Sequence, residues 1–110
     1  MALYQFKNFT SSGVGTSEVS VYTSPTGKKS MALGLSVTNV TPSSLPIEAS
    51  LVKSDSTVVA LSKSIRVLGG ESADLLAGRK LVLGEGDSIT VKAKVANAFD
   101  VVLSVMEDVD

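Results

Sequence analysis

Period-two alternation constrains this chain more than any other feature. Met31, Leu33, Leu35 and Val37 are interleaved with Ala32, Gly34, Ser36 and Thr38, and Ile89, Val91, Ala93 and Val95 with Thr90, Lys92 and Lys94. Strand side chains point alternately to opposite faces, so each run lays one apolar face on a core; a helix would need apolar residues three and four apart. The period recurs at Val19/Val21/Thr23, Ile47/Ala49/Leu51, Ile65/Val67 and Val101/Leu103/Val105, with shorter apolar pieces at Tyr4/Phe6, at 58–61 and at 81–83. In the 101–105 run, Leu103 is expected to face inward with Leu35 and Val91.

Between these runs lie SSGVGTS, SPTGKKS, NVTPSSLP, KSDST, LGGES, AGRK, GEGD and ANAFD. Their Gly, Pro, Asn, Asp and Ser residues bend a backbone through positive φ, a fixed φ or side-chain capping of the main chain. Short strands at short, even intervals leave no room for the helical crossovers of a parallel sheet. The expectation is an all-β chain: a single antiparallel β-sandwich or jelly-roll-like domain of about eight strands over residues 1–110. Only GGESADLLAGRK has room for a helical turn. A chain of 110 residues supports one core.

Composition narrows function mainly by exclusion. Ten Lys and Arg stand against 11 Asp and Glu, a formal net charge of −1, so there is no basic surplus to neutralise phosphates. Neither nucleic acid nor an anionic membrane is an expected partner. Cysteine and histidine are both absent, which removes disulfides, thiolate ligands, cysteine nucleophiles and the usual neutral-pH proton carrier. No metal, cofactor or catalytic residues are expected, and the chain reads as a non-enzyme. The opening MALYQFKNF carries Tyr4 and Lys7 where a secretory signal needs a basic start and then a long apolar stretch, so synthesis without export is expected.

The stretch LVLGEGDSIT sets Glu85 and Asp87 among two glycines. A calcium loop would require a longer acidic ladder ending in a bidentate Glu, and a glycosidase would be expected to bring a Trp for its sugar; neither is present. The stretch reads as a hairpin turn, with Gly84 or Gly86 at positive φ and Asp87 bonding a backbone N–H at the start of the next strand. SPTGKKS is no phosphate-binding loop, because Tyr22 holds the place of the first glycine and Lys29 that of the Ser/Thr.

Aromatic residues are unevenly placed. Of 3 Phe and 2 Tyr, Tyr4, Phe6 and Phe9 lie in the first nine residues. Two readings stay open. The segment is an edge strand packing its own Tyr4 and Phe6 inward, or residues 1–16 are an N-terminal arm whose three rings dock on a neighbouring subunit.

The order of pieces resembles a group of small virion structural proteins of tailed bacteriophages. Those proteins read, in order, vYtsP, glxlxN, kxvLexGDsixV and aDvvlSxxE, matched here by residues 22–25, 34–39, 80–91 and 100–107. The resemblance implies a compact β-sandwich that serves as a head decoration, neck or tail accessory part. It implies assembly in the host cytoplasm into a virion, with other virion structural proteins and further copies of this chain as partners. It supplies no catalytic or ligand residues. The competing reading is a ligand- or carbohydrate-binding β-sandwich of adhesin type, against which the lack of Trp counts. A small lyase or hydrolase on a jelly-roll scaffold is a third, less favoured for want of His.

Overall fold

The computed structural model describes residues 4–108, leaving aside the side chains of the two end residues. Nine strands follow in order: β1 (Tyr4–Val14), β2 (Val19–Thr23), β3 (Ser30–Asn39), β4 (Leu45–Val52), β5 (Val58–Val67), β6 (Ser72–Asp74), β7 (Leu81–Leu83), β8 (Ser88–Ala93) and β9 (Phe99–Asp108). All pairings are antiparallel. One sheet runs β1-β9-β3-β6, with β7 also on β3; the other runs β2-β8-β4-β5. Because β6 and β7 pair with opposite ends of β3, they are two halves of one interrupted strand. Counted that way, eight strands are dealt between two sheets in the jelly-roll arrangement, as expected. The core between the sheets is filled by Leu35, Val37, Val101, Leu103 and Val105 from one side and Ile47, Ala49, Ile89 and Val91 from the other.

Several local expectations are corrected. The run from Met31 to Val37 does not present one face, because the register of β3 against β9 shifts between Ala32 and Gly34. Ser30 and Ala32 point inward before this bulge and Leu35, Val37 and Asn39 after it, which turns Met31 to the outside. A single extra residue switches every later side chain to the other face. A shift in β2 between Ser20 and Tyr22 likewise buries Tyr22 beside Val21 and leaves Thr23 exposed. β8 ends at Ala93, so Val95 lies in an exposed loop rather than on the core face. The stretch with room for a helical turn contains β6 and a hydrogen-bonded turn instead. Asp74 organises that turn: its carboxylate accepts N–H bonds from Leu35 (3.1 Å), Leu76 (3.0 Å) and Gly78 (3.3 Å), bridging the gap between β6 and β7.

Candidate functional site

β1 runs beside β9 at the edge of its sheet, with Phe6 opposite Met106 and Phe9 opposite Leu103. Alternation therefore sends the two rings to opposite faces. Phe9 turns inward, packs against the core and meets the Tyr22 ring at 4.5 Å between centroids. Phe6 turns outward and is 75% exposed. The backbone of Tyr4 pairs with Asp108, while its side chain lies outside the described ones. The three aromatic residues singled out from the sequence thus share one strand without forming one cluster.

Beside Phe9 an open depression of about 610 Å³ is lined by Gln5, Lys7, Thr23, Lys28, Tyr22 and Glu107, among others. Its floor is a chain of hydrogen bonds linking β1, β2, β3 and β9. The Tyr22 hydroxyl donates to Glu107 Oε2 at 2.5 Å, and Lys7 Nζ donates to Oε1 at 2.9 Å. With its one proton committed to Glu107, Tyr22 Oη accepts from Ser30 Oγ at 2.6 Å, and Ser30 is in turn bonded to Ser24 Oγ at 3.0 Å. Burial, followed by the Glu107 carboxylate, pushes the Tyr22 phenol up to about 12. The Tyr22 hydroxyl, then Lys7, hold Glu107 below the usual carboxylate range. Near neutral pH the phenol therefore keeps its proton and the carboxylate its charge, and the pair ties β2 to β9.

The loop containing Glu85 and Asp87 packs at one end of the sandwich against residues 24–28 and 53–55. Gly86 takes the positive φ, +80°, so the stretch is a turn, but not a hairpin: β7 pairs with β3 and β8 with β2 and β4, and the turn carries the chain from one sheet to the other. Asp87 is buried, and its partners differ from those expected. It accepts from Gly84 N (3.0 Å) within its own turn, and from Ser54 N (3.0 Å) and Lys53 Nζ (2.8 Å) in the β4–β5 hairpin. Its main chain is tied to the loop after β2, with Ser24 N donating to Asp87 O at 2.8 Å. Lys53 foremost, and then these N–H groups, hold the carboxyl below its ordinary range despite burial. Glu85 stays exposed and accepts one bond, from Gly27 N at 2.6 Å. The two carboxylates do different work: that of Asp87 joins its own turn to the β4–β5 connection, and that of Glu85 caps the exposed turn at Gly27.

At the opposite end Asn39 is wholly buried and plays the matching part. Its amide donates to Ser43 O (2.7 Å) and Val67 O (2.8 Å), and its Oδ1 accepts from Thr41 N and Oγ1. Tyr22, Asn39, Asp87 and Glu107 each belong to one of the four motifs quoted above, and each is a buried polar group whose bonds stay within the chain. Sequence reasoning overlooked them as a set. The available signal was a polar residue at a fixed place beside each alternating run. Among the described residues no buried side-chain N or O atom lacks a partner, and no three acidic, His or Cys side chains converge on a metal position.

No protein-family model matches the chain, and no curated protein matches it in sequence. Solved structures match in fold. A chain from the disulfide-linked pili of Bacillus endospore appendages superposes with a TM-score of 0.59 at 13% identity, over 99% of this chain and 89% of that one. A chain of infectious bursal disease virus, Gx strain, superposes with a TM-score of 0.53 at 10% identity over 98% of this chain, which covers 33% of the viral one. At these identities the likeness establishes a shared fold.

Proposed function

We propose that this chain is a structural subunit of an assembled particle, acting through repeated protein–protein contacts, and that the particle is the virion of a tailed bacteriophage. The observation that carries the reading is where polar chemistry goes. The buried carboxylates, the phenol and the buried amide are consumed in holding strands and loops together, while Phe6, Val58, Val82 and Leu68 are each more than 60% exposed on strands and loops. Rigid ends and apolar outer surface suit a building block better than a binding cleft. The order of motifs supports the phage assignment, as a head decoration, neck or tail accessory part made in the host cytoplasm. The fold is compatible with both the pilus and the viral neighbours. Unlike the disulfide-linked pili, these 110 residues contain no cysteine, so disulfides do not link them. A sugar-binding module is less favoured, because Trp is absent and the Tyr22 ring is buried under Phe9, which leaves Phe6 as the one well-exposed ring among the described side chains.

Density-gradient fractionation of a lysate from phage-producing cells tests the proposal. The chain is expected to band with particles after nuclease treatment and a salt wash. Recovery wholly in the soluble fractions would overturn it.

A further inference from the structure

The sandwich has two long edge strands, and they differ in how open they are to further pairing. β5 breaks register against β4 twice, and such irregularities blunt an edge. β1 keeps unbroken register with β9 from Tyr4 to Ser11, and no strand among the described residues pairs with its other side. In an antiparallel pair every second residue turns its N–H and C=O away from the partner, so this stretch of β1 offers about four such sets to a further strand. The devices that commonly close an edge are missing from it. Residues 4–11 include no Pro, and their one charged side chain, Lys7, is drawn inward to Glu107 at 2.9 Å. Beneath the free edge lies the open depression. Gln5, Lys7 and Phe9 line it at alternate positions of β1, and residues 20–23 line it from β2, the edge of the other sheet. The charge that reaches solvent there is positive. The Lys7 side chain is 44% exposed and that of Glu107 6%, with both carboxylate oxygens accepting bonds from within the chain. Half-buried Lys28 lines the same depression. An ammonium has three protons, so Lys7 holds two beyond the one given to Glu107.

We infer that the β1 edge and this depression together bind an extended acidic segment of a partner protein, which adds as a strand beside β1 and turns alternate side chains into the depression. Main-chain bonds to a free edge supply affinity in such an arrangement, and the pocket beside the edge reads every second side chain. Charge selects the occupant. A carboxylate set beside Lys7 meets two ammonium groups and the Gln5 amide, whereas a second copy of β1 would bring another Lys7 and no acid, since residues 4–14 contain neither Asp nor Glu. This deepens the structural-subunit reading by naming the chemistry of one contact, and rests on it for its biological sense.

Titration of the isotope-labelled full chain with a capped octapeptide of alternating Thr and Glu, followed by amide NMR, tests the inference. Thr favours an extended backbone, and alternation puts every Glu on one face of the added strand. The amides of residues 4–11 are expected to shift, with a dissociation constant below about 1 mM. Replacing each Glu of the peptide by Gln should weaken binding about tenfold or more. Lys28→Glu, checked for unchanged melting, should weaken it about threefold or more, and Lys63→Glu on β5 should leave it unchanged. Of two peptides N-methylated at alternate residues in opposite phase, one should lose binding, because its donors towards β1 are gone. No shift at several millimolar peptide would overturn the inference, as would binding indifferent to the Gln replacement or to both methylation phases. Shifts of the same amides with protein concentration alone would put a second copy on the edge and overturn it too. A chain that binds the peptide yet is missing from particles defeats the virion reading alone, and a chain that bands with particles but leaves the peptide unbound defeats this one alone.

Discussion

Replacing Asp87 by Asn separates a structural carboxylate from a surface one with a change of a single atom. Oδ1 receives the Ser54 N–H, while Oδ2 receives the Gly84 N–H and the Lys53 ammonium. An amide has one acceptor oxygen, so in either orientation its NH₂ group faces a backbone N–H. The milder orientation keeps Gly84 and Lys53 bonded and leaves the Ser54 N–H without an acceptor, at a cost of about 1–3 kcal/mol. Turning two charge-assisted bonds into neutral ones adds about 1 kcal/mol. The expected loss is therefore about 2–4 kcal/mol, a large share of the roughly 5–15 kcal/mol such a domain holds. In urea the midpoint should fall by about 1–3 M. Glu85→Gln, in the same turn, should change stability by less than about 1 kcal/mol, since Glu85 is exposed and makes one bond. The Asp87 contribution is also pH-dependent with a definite sign. Because the folded-state pKa lies below the unfolded value, the contribution is complete above about pH 4 and is lost as pH falls through the folded value. The gap between wild type and Asp87→Asn should close in acid. An Asp87→Asn protein within about 0.5 kcal/mol of wild type, or a Glu85→Gln protein equally damaged, would refute the reasoning.

Leu103 is fully buried at the middle of β9, between Leu35 on β3 and Phe9 on β1, where paired strands on both sides resist collapse. Leu103→Ala should cost about 3–5 kcal/mol and outward-facing Ser104→Ala less than about 1 kcal/mol by denaturant titration. Spectrophotometric titration should find the Tyr22 phenol ionising near pH 12, a phase absent from Tyr22→Phe. With the folded value above the unfolded one near 10, this group's contribution is complete below about pH 10 and is lost as pH rises towards 12. Gly69→Ala would place a methyl group 2.6 Å from the Pro42 carbonyl carbon, so the loop pinned by Asn39 must shift; a melting curve should report a loss of about 1–3 kcal/mol.

The fold was legible because alternation is local. β4, β8 and β9 each declare their inner face within a few residues, and Gly- and Asp-rich turns divide them, so an antiparallel sandwich followed. Bulges were not legible. The extra residue near Leu33 is fixed by pairing with β9, some seventy residues away, and no window on β3 contains that information. The same holds for Tyr22: an aromatic residue beside Val21 reads as an outward neighbour until a register shift turns it onto Glu107. Runs 58–61 and 65–67 merged into β5 because an edge strand tolerates two register irregularities against its one partner. For Asp87 the turn was evident from Gly86, but Ser54 and Lys53 come from a distant hairpin and leave no trace in GEGD. The aromatic clustering at the start was real in sequence and divided in space, since strand geometry sends Phe6 and Phe9 to opposite faces.

Quantitative mass spectrometry of purified virions tests the central claim most directly, through the ratio of this chain to the major shell protein. A structural subunit occupies a set number of equivalent positions, so the ratio should be fixed across preparations, unchanged by repeated banding, and equivalent to a whole-number copy count set by particle symmetry. A ratio that drifts between preparations and falls towards zero on repeated purification would contradict the account.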